Sequence, residues 1–158
     1  MTQPTTELRL RAYQPEDFEA LYAIDQACYA PGIAYSRRLL RWFLRLPGAE
    51  CLVAEAGGQV AGFILAEHAD EYAHIITIDV LAAQRRHRVG SALLEAIEQS
   101  LAARSVRHIE LETATDNHAA IAFWQKHGYR TVAVLKRYYL GRLDAYSMHK
   151  PLTAPQEN

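Results

Sequence analysis

The chain has 158 residues, half of them hydrophobic, and a formal net charge of -1 with its histidines neutral. That length supports one sizeable core, so a single domain over residues 8–150 is expected, and the near balance of charge argues against nucleic acid or an anionic membrane as a bulk partner. Two cysteines, no apolar run near the ~20 residues of a membrane span, and first residues without the charged-then-apolar layout of a signal peptide point to a soluble protein of a reducing cytoplasm.

Residues 1–7 are polar and read as a disordered tail. Leu8 and Leu10 alternate with Arg9 and Arg11, a half-buried first strand. Pro15 suits the first position of a helix reaching Tyr29, on which Phe18, Leu21, Ile24 and Cys28 recur at helical spacing with the acid Asp25 on the same stripe. Turn formers and two tyrosines fill residues 29–35, and Ser36 is placed to cap a second helix running through Leu46. Arg37, Arg41 and Arg45 recur along that helix as a solvated face. After Pro47-Gly48, two strand-like runs, Cys51 to Ala56 and Gln59 to Glu67, are joined by Gly57-Gly58, a hairpin signal because both turn positions accept positive φ.

The stretch from Ile75 to Leu94 is a β-branched strand that enters a basic turn and leaves as a helix carrying Leu93, Ile97 and Leu101 on one stripe. Arginines and backbone N–H groups there gather at the positive end of a helix dipole, a seat for pyrophosphate. A fifth strand, His108 to Thr113, alternates Glu110 and Glu112 with Ile109 and Leu111. Asp116 or Asn117 caps a further helix that stops at Gly128, two closing strands, Tyr129 to Tyr139 and Leu143 to Lys150, flank Gly141, and residues 151–158 read as a second disordered tail. The alternation of elements is that of an α/β layered domain with a mixed sheet.

Within that frame, the run Val80 to Leu94 resembles the acetyl-CoA motif of the GCN5-related N-acetyltransferases, (Arg/Gln)-x-x-Gly-x-(Gly/Ala), with Arg85 and Gly90 on its ends and Arg88 where its first glycine stands. The segment Leu111 to Tyr129 is similar to that family's strand, Asn-x-x-Ala-Ile, aromatic and Gly-(Phe/Tyr) sequence. The closing Lys136-Arg-Tyr-Tyr139 and Asp144 to Met148 look like the protein N-terminal acetyltransferase branch, which includes the ribosomal-protein alanine N-acetyltransferases. The resemblance implies a three-layer domain, a mostly antiparallel twisted sheet of about seven strands flanked by about four helices.

It also implies roles. Acetyl-CoA is the donor, held by Ile78, Val80, Arg85, Arg86, His87, Arg88, Val89, Gly90, Ser91, Asn117 and Trp124, with backbone N–H groups near Ile78 to Val80 facing the developing oxyanion. Glu112 is the base that takes a proton from the acceptor ammonium, directly or through water. Trp124 stands where the family usually has the tyrosine that serves the departing thiolate, and an indole donates a hydrogen bond without delivering a proton, so the candidate acid is a nearby tyrosine, Tyr138 first or Tyr139, with water or a weak activity as the alternatives. Tyr29, Tyr35, Tyr138 and Tyr139 are the candidate acceptor contacts. The histidines lack metal-like spacing, and no metal is expected.

The expected activity is therefore direct acetyl transfer to a primary amine, first of all a protein or peptide N-terminal α-amine, with a ribosomal protein as the first guess. A small-molecule amine acetyltransferase and a non-catalytic acyl-CoA-binding regulatory domain are the alternatives.

Overall fold

The structure, a computed structural model, describes residues 7–85 and 87–154. Residues 1–6, Arg86 and residues 155–158 lie outside the described residues, and with them most of the expected N-terminal tail, part of the C-terminal one and one expected phosphate contact.

Among the described residues, seven strands and four α-helices follow the order that the periodicity predicts: β1 (Leu8–Ala12), α1 (Phe18–Cys28), α2 (Arg37–Leu44), β2 (Ala49–Ala56), β3 (Gln59–Ala69), β4 (Tyr72–Val80), α3 (Val89–Ala103), β5 (His108–Ala114), α4 (His118–Lys126), β6 (Arg130–Tyr139) and β7 (Leu143–Pro151). The strands pair in the order β1-β2-β3-β4-β5-β7-β6. Antiparallel ladders join β1 to β2, β2 to β3, β5 to β7 and β6 to β7, and a parallel one joins β4 to β5. The sheet is thus mixed and mostly antiparallel, and no helix among the described residues is long and apolar enough to cross a membrane.

Side chains set the element ends. Pro15 opens a short 3-10 turn, Pro15–Asp17, and α1 begins only at Phe18. The Asp17 carboxylate accepts from the Gln14 N–H at 2.8 Å and from both terminal nitrogens of Arg11 at 2.7 and 2.8 Å, so β1 and the start of α1 are tied together. Ser36 caps α2 through the Leu39 N–H, and Asn117 caps α4 through the Ala120 N–H. The α-helix stops at Leu44, two residues before the expected Leu46, because the Arg45 and Leu46 N–H groups turn to carbonyls only three residues back.

The chain divides into two compact units, one holding the chain up to Glu67 with Ile76–Glu98, the other His68–Ile75 with the chain from Gln99 onward. In the first, Phe18, Leu21 and Ile24 of α1 pack with Leu40 of α2 and with Val53, Phe63 and Leu65 of β2 and β3. Burying such side chains stabilises by roughly 1.5–3 kcal/mol each. Gly62 matters for a different reason: a Cβ there would stand 2.6 Å from the Asp79 carbonyl oxygen, so only glycine lets β3 approach β4 so closely. The arginine row is an outer face, with Arg37 paired to Glu19 at 2.5 Å and Arg41 laid over the Phe18 ring at 4.0 Å.

In the second unit, Leu101, Val106, Ile109, Leu111, Trp124, Tyr129 and Met148 are buried. β5 is flanked by Tyr72–His74 of β4 in parallel register and by β7. The β6–β7 ladder jumps from Leu135 opposite Ala145 to Tyr139 opposite Leu143, leaving Lys136, Arg137 and Tyr138 against Asp144 alone. This is a bulge, with Arg137 at φ 55° to make the bend. β7 runs through Pro151, which pairs with His108, and the Leu152 N–H donates to the Arg107 carbonyl, so order continues past the expected boundary at residue 150.

Candidate active site

In the first unit the candidate donor residues sit on β4 and the turn that follows it. Burial alternates along this half of the strand, Thr77 and Asp79 buried and Ile78 and Val80 half-buried. Arg85 folds back toward the strand end, its Nε donating to the Val80 carbonyl at 3.3 Å and one terminal nitrogen reaching Cys28 Sγ at 3.8 Å. His87 and Arg88 are exposed. Arg88 has φ 63°, and its carbonyl accepts the Ala92 N–H at 3.0 Å as α3 begins. A non-glycine residue in this left-handed conformation costs about 1–2 kcal/mol, and here it occupies the position where the motif has a glycine. The turn keeps the glycine conformation and carries an arginine on it.

That turn fits a pyrophosphate. The first-turn N–H groups of Val89, Gly90 and Ser91 open a fifteen-residue helix whose first turn holds no acid. Arg85 and Arg88 add positive charge in the same turn.

The tyrosines of the 29–35 segment turn toward β4. The Tyr29 hydroxyl lies 3.3 Å from Thr77 Oγ1 and donates to the Ile78 carbonyl at 3.4 Å, and the Tyr35 hydroxyl donates to the Ile76 carbonyl at 3.2 Å. Burial pushes the Tyr29 phenol well above its usual value, with the charge of Asp79 adding to the effect. Both rings are tied to the strand through their hydroxyls.

The second unit holds the candidate acid–base residues. Glu112, half-buried on β5, has its Oε2 2.6 Å from His74 Nε2 on β4. Tyr138 and Tyr139 stack edge to face at 4.9 Å between centroids, both within electrostatic reach of Glu112. Burial raises the Tyr138 phenol and lifts Tyr139 to about 12, the Glu112 charge adding to each, so both hydroxyls stay protonated at neutral pH. The bulge that carries Tyr138 is held by Asp144, which accepts the Arg137 N–H at 2.9 Å and Lys136 Nζ at 3.2 Å. Asn117 spends its side-chain oxygen on the helix cap, and Trp124 is a buried wall residue set edge-on to Tyr129 at 5.2 Å. Among the described residues no group of three or more His, Cys, Asp or Glu gathers as metal ligands would.

His74 is the residue that sequence reading passed over, having counted it only among histidines without metal spacing. Its alternation with buried neighbours on β4 was visible, but the register that sets it opposite Glu110, one pleat from Glu112, is a property of the folded sheet.

Residues 18–129 match the model of the Acetyltransferase (GNAT) family. The chain belongs to the GNAT family. Among its GNAT relatives, the N-alpha-acetyltransferase of Sulfurisphaera tokodaii is 32% identical over 117 residues, 66% of this chain and 70% of its own length. The ribosomal protein bS18-alanine N-acetyltransferase of Escherichia coli is 31% identical over 99 residues, 61% of this chain and 67% of its own. The crystal structure of the ribosomal-protein-S18-alanine N-acetyltransferase from Escherichia coli superposes with a TM-score of 0.86 at 26% identity, covering 96% of this chain and 98% of that one. This GNAT chain is an N-acetyltransferase, with the α/β sheet and four helices of that fold.

Proposed function

We propose that this chain transfers acetyl from acetyl-CoA to the α-amine of a protein or peptide N-terminus, a ribosomal protein being the first candidate, by direct attack in a ternary complex. The relatives' names support the acceptor class, and the observation that carries the chemistry is Glu112 held by His74 beside two protonated tyrosines. Acetyl-CoA supplies the acyl group as an activated thioester; the turn Arg85 to Gly90, Ser91 and the β4 residues Ile78 and Val80 are the groups on this chain suited to hold it.

Glu112 takes a proton from the acceptor ammonium, directly or through one water, which frees the nitrogen lone pair for the carbonyl carbon. Backbone N–H groups of β4 face the oxygen as its charge grows. The new C–N bond forms as the C–S bond breaks, and the Tyr138 hydroxyl is the group we assign to return a proton to the sulfur. A carboxylate is a weak base, and that suits an α-amine. With a pKa near 8, roughly a tenth of such amines are already neutral at pH 7, against under one in a thousand lysine side chains.

The test is a thiol-release assay over a library of peptides with every N-terminal residue, each in free and α-blocked form. Turnover confined to free α-amines supports the reading. Acetylation of a small amine with no peptide accepted replaces it with the small-molecule activity, and acetyl-CoA binding without acetylation of any amine replaces it with a regulatory domain.

A further inference from the structure

Asp25 on α1 and Asp79 on β4 are the most deeply buried acids in the first unit, 0% and 1% exposed. Each has one oxygen accounted for. Asp25 Oδ2 accepts the Tyr35 N–H at 2.7 Å, and Asp79 Oδ1 accepts the Thr77 hydroxyl at 2.5 Å. The other two oxygens, Asp25 Oδ1 and Asp79 Oδ2, are closed off from solvent and receive no N–H or O–H from the described residues. The Asp25 carboxyl acts on Asp79 as a hydrogen-bonding neighbour and through its charge.

The titratable groups facing Asp79 from the packed elements do not neutralise the pair. Tyr29 and Cys28 come from the end of α1 and Cys51 from β2. Arg85 is spent on the Val80 carbonyl and on Cys28. Two ionised carboxylates in such a place repel without compensation, whereas one proton held between the two carboxyls makes one a donor and the other its acceptor. Burial and the Asp25 carboxyl together push Asp79 well above the usual carboxylate range.

We propose that Asp25 and Asp79 share one proton at neutral pH and, as an acid–carboxylate pair, position the 29–35 segment on β4 for the acceptor amine. The pair lies under that segment. Asp25 holds its far end through Tyr35, whose hydroxyl reaches Ile76, while Tyr29 starts it with its N–H on the Asp25 carbonyl and its hydroxyl at Thr77 and Ile78. Loss of the proton sets two negative charges against each other beneath both tyrosines. Asp25 and Asp79 are therefore positioning residues for acceptor use, a role that rests on the activity proposed above, while the shared proton does not.

The experiment has two arms. Infrared spectra of the aspartate-13C-labelled full chain at pH 7 are expected to show a protonated carboxyl band that disappears in both Asp79→Asn and Asp25→Asn; a wild-type spectrum without that band overturns the shared proton. In the second arm, peptide KM, corrected for ionisation of the amine, is followed to alkaline pH. Wild type is expected to rise with a limiting slope of about tenfold per pH unit. Asp79→Asn, whose amide donates permanently to Asp25, is expected to stay flat, and acetyl-CoA KM to be level in both. Parallel KM profiles in the two proteins overturn the positioning role even with the band present. The band without turnover of any peptide supports the pair and overturns the activity on which positioning rests. Asp25→Asn serves in the second arm should Asp79→Asn fold poorly.

Discussion

His74 Nε2 lies 2.6 Å from Glu112 Oε2, the two side chains brought together by a parallel register in which His74 faces Glu110. The contact fixes which way the Glu112 carboxylate points, and on the proposed mechanism that orients the base. Glu112→Gln is expected to lower kcat by about 10²–10⁴-fold, the range of a lost general base, with acetyl-CoA KM unchanged. His74→Ala removes only the orienting partner and should cost about tenfold, a small part of that range. Steady-state kinetics with both substrates varied decide this, and a Glu112→Gln enzyme at wild-type rate across pH would remove Glu112 from the mechanism.

Arg88 at φ 63° sets strain against charge at one position. Arg88→Gly relieves about 1–2 kcal/mol of left-handed strain and loses about 0.5–1 kcal/mol to the freer unfolded chain, for a net gain of up to about 1.5 kcal/mol. It also removes a cation from the phosphate turn. Urea unfolding should show the higher midpoint, and calorimetric titration should show weaker acetyl-CoA binding whose difference from wild type shrinks with salt. Equal affinity at all salt concentrations would mean the guanidinium contributes nothing to the seat.

The element order and most boundaries were legible because each helix or strand advertises itself locally: Ser36 and Asn117 as caps, Gly57-Gly58 as the hairpin turn, and alternating burial on β5. What the sequence could not show is what lies opposite what. Glu112 was readable and its partner His74 was not, since a one-residue slip in the β4–β5 register would turn His74 to the other face. Asp25 stood out as an acid on an apolar stripe, yet nothing local says that it is buried in the same unit as Asp79 of β4. The β6 bulge is hidden for the same reason, because Lys136-Arg-Tyr reads as ordinary strand until Asp144 is found across from it.

Gly62 is where β3 nearly touches the β4 backbone. A methyl group at Gly62 meets the Asp79 carbonyl oxygen at 2.6 Å and the Val80 Cα at 3.2 Å, both backbone atoms that cannot swing aside. Gly62→Ala is expected to destabilise by about 1–3 kcal/mol, as overpacking does, and to weaken acetyl-CoA binding if, as proposed, β4 holds the donor. Denaturant midpoint and titration calorimetry on one preparation test both effects, and an unchanged midpoint would show that β4 shifts freely.

Acid stability should depend on Asp17. Donation from Arg11 outweighs burial and holds the carboxyl below its ordinary value of 3.8. A depressed folded pKa means the folded state sheds the proton first, so the stabilisation is present above 3.8 and fades as pH falls through the lower folded value. The side chains are 23% and 10% exposed, so solvent screens the pair only partly. Asp17→Asn is expected to cost about 1–3 kcal/mol at pH 7, the range for hydrogen bonds to a charged group, with the gap to wild type closing in acid. Urea midpoints at pH 7 and pH 3 measure it, and a gap that stays constant between them would show that the charge is not what stabilises.

Asp144 holds the β6 bulge through two groups at once, the Arg137 N–H at 2.9 Å and Lys136 Nζ at 3.2 Å. Arg137 sits at φ 55°, so without that acceptor the local balance shifts toward an ordinary strand conformation, which would turn Tyr138 away from Glu112. Asp144→Ala is therefore expected to raise peptide KM and lower kcat about tenfold, on the scale of a misplaced general acid, while acetyl-CoA KM holds. Asp144→Asn keeps an acceptor for the Arg137 N–H and should recover most of the loss. If alanine and asparagine fail equally, the lysine ion pair and not the backbone contact maintains the bulge; if neither changes peptide kinetics, Tyr138 does not act from it.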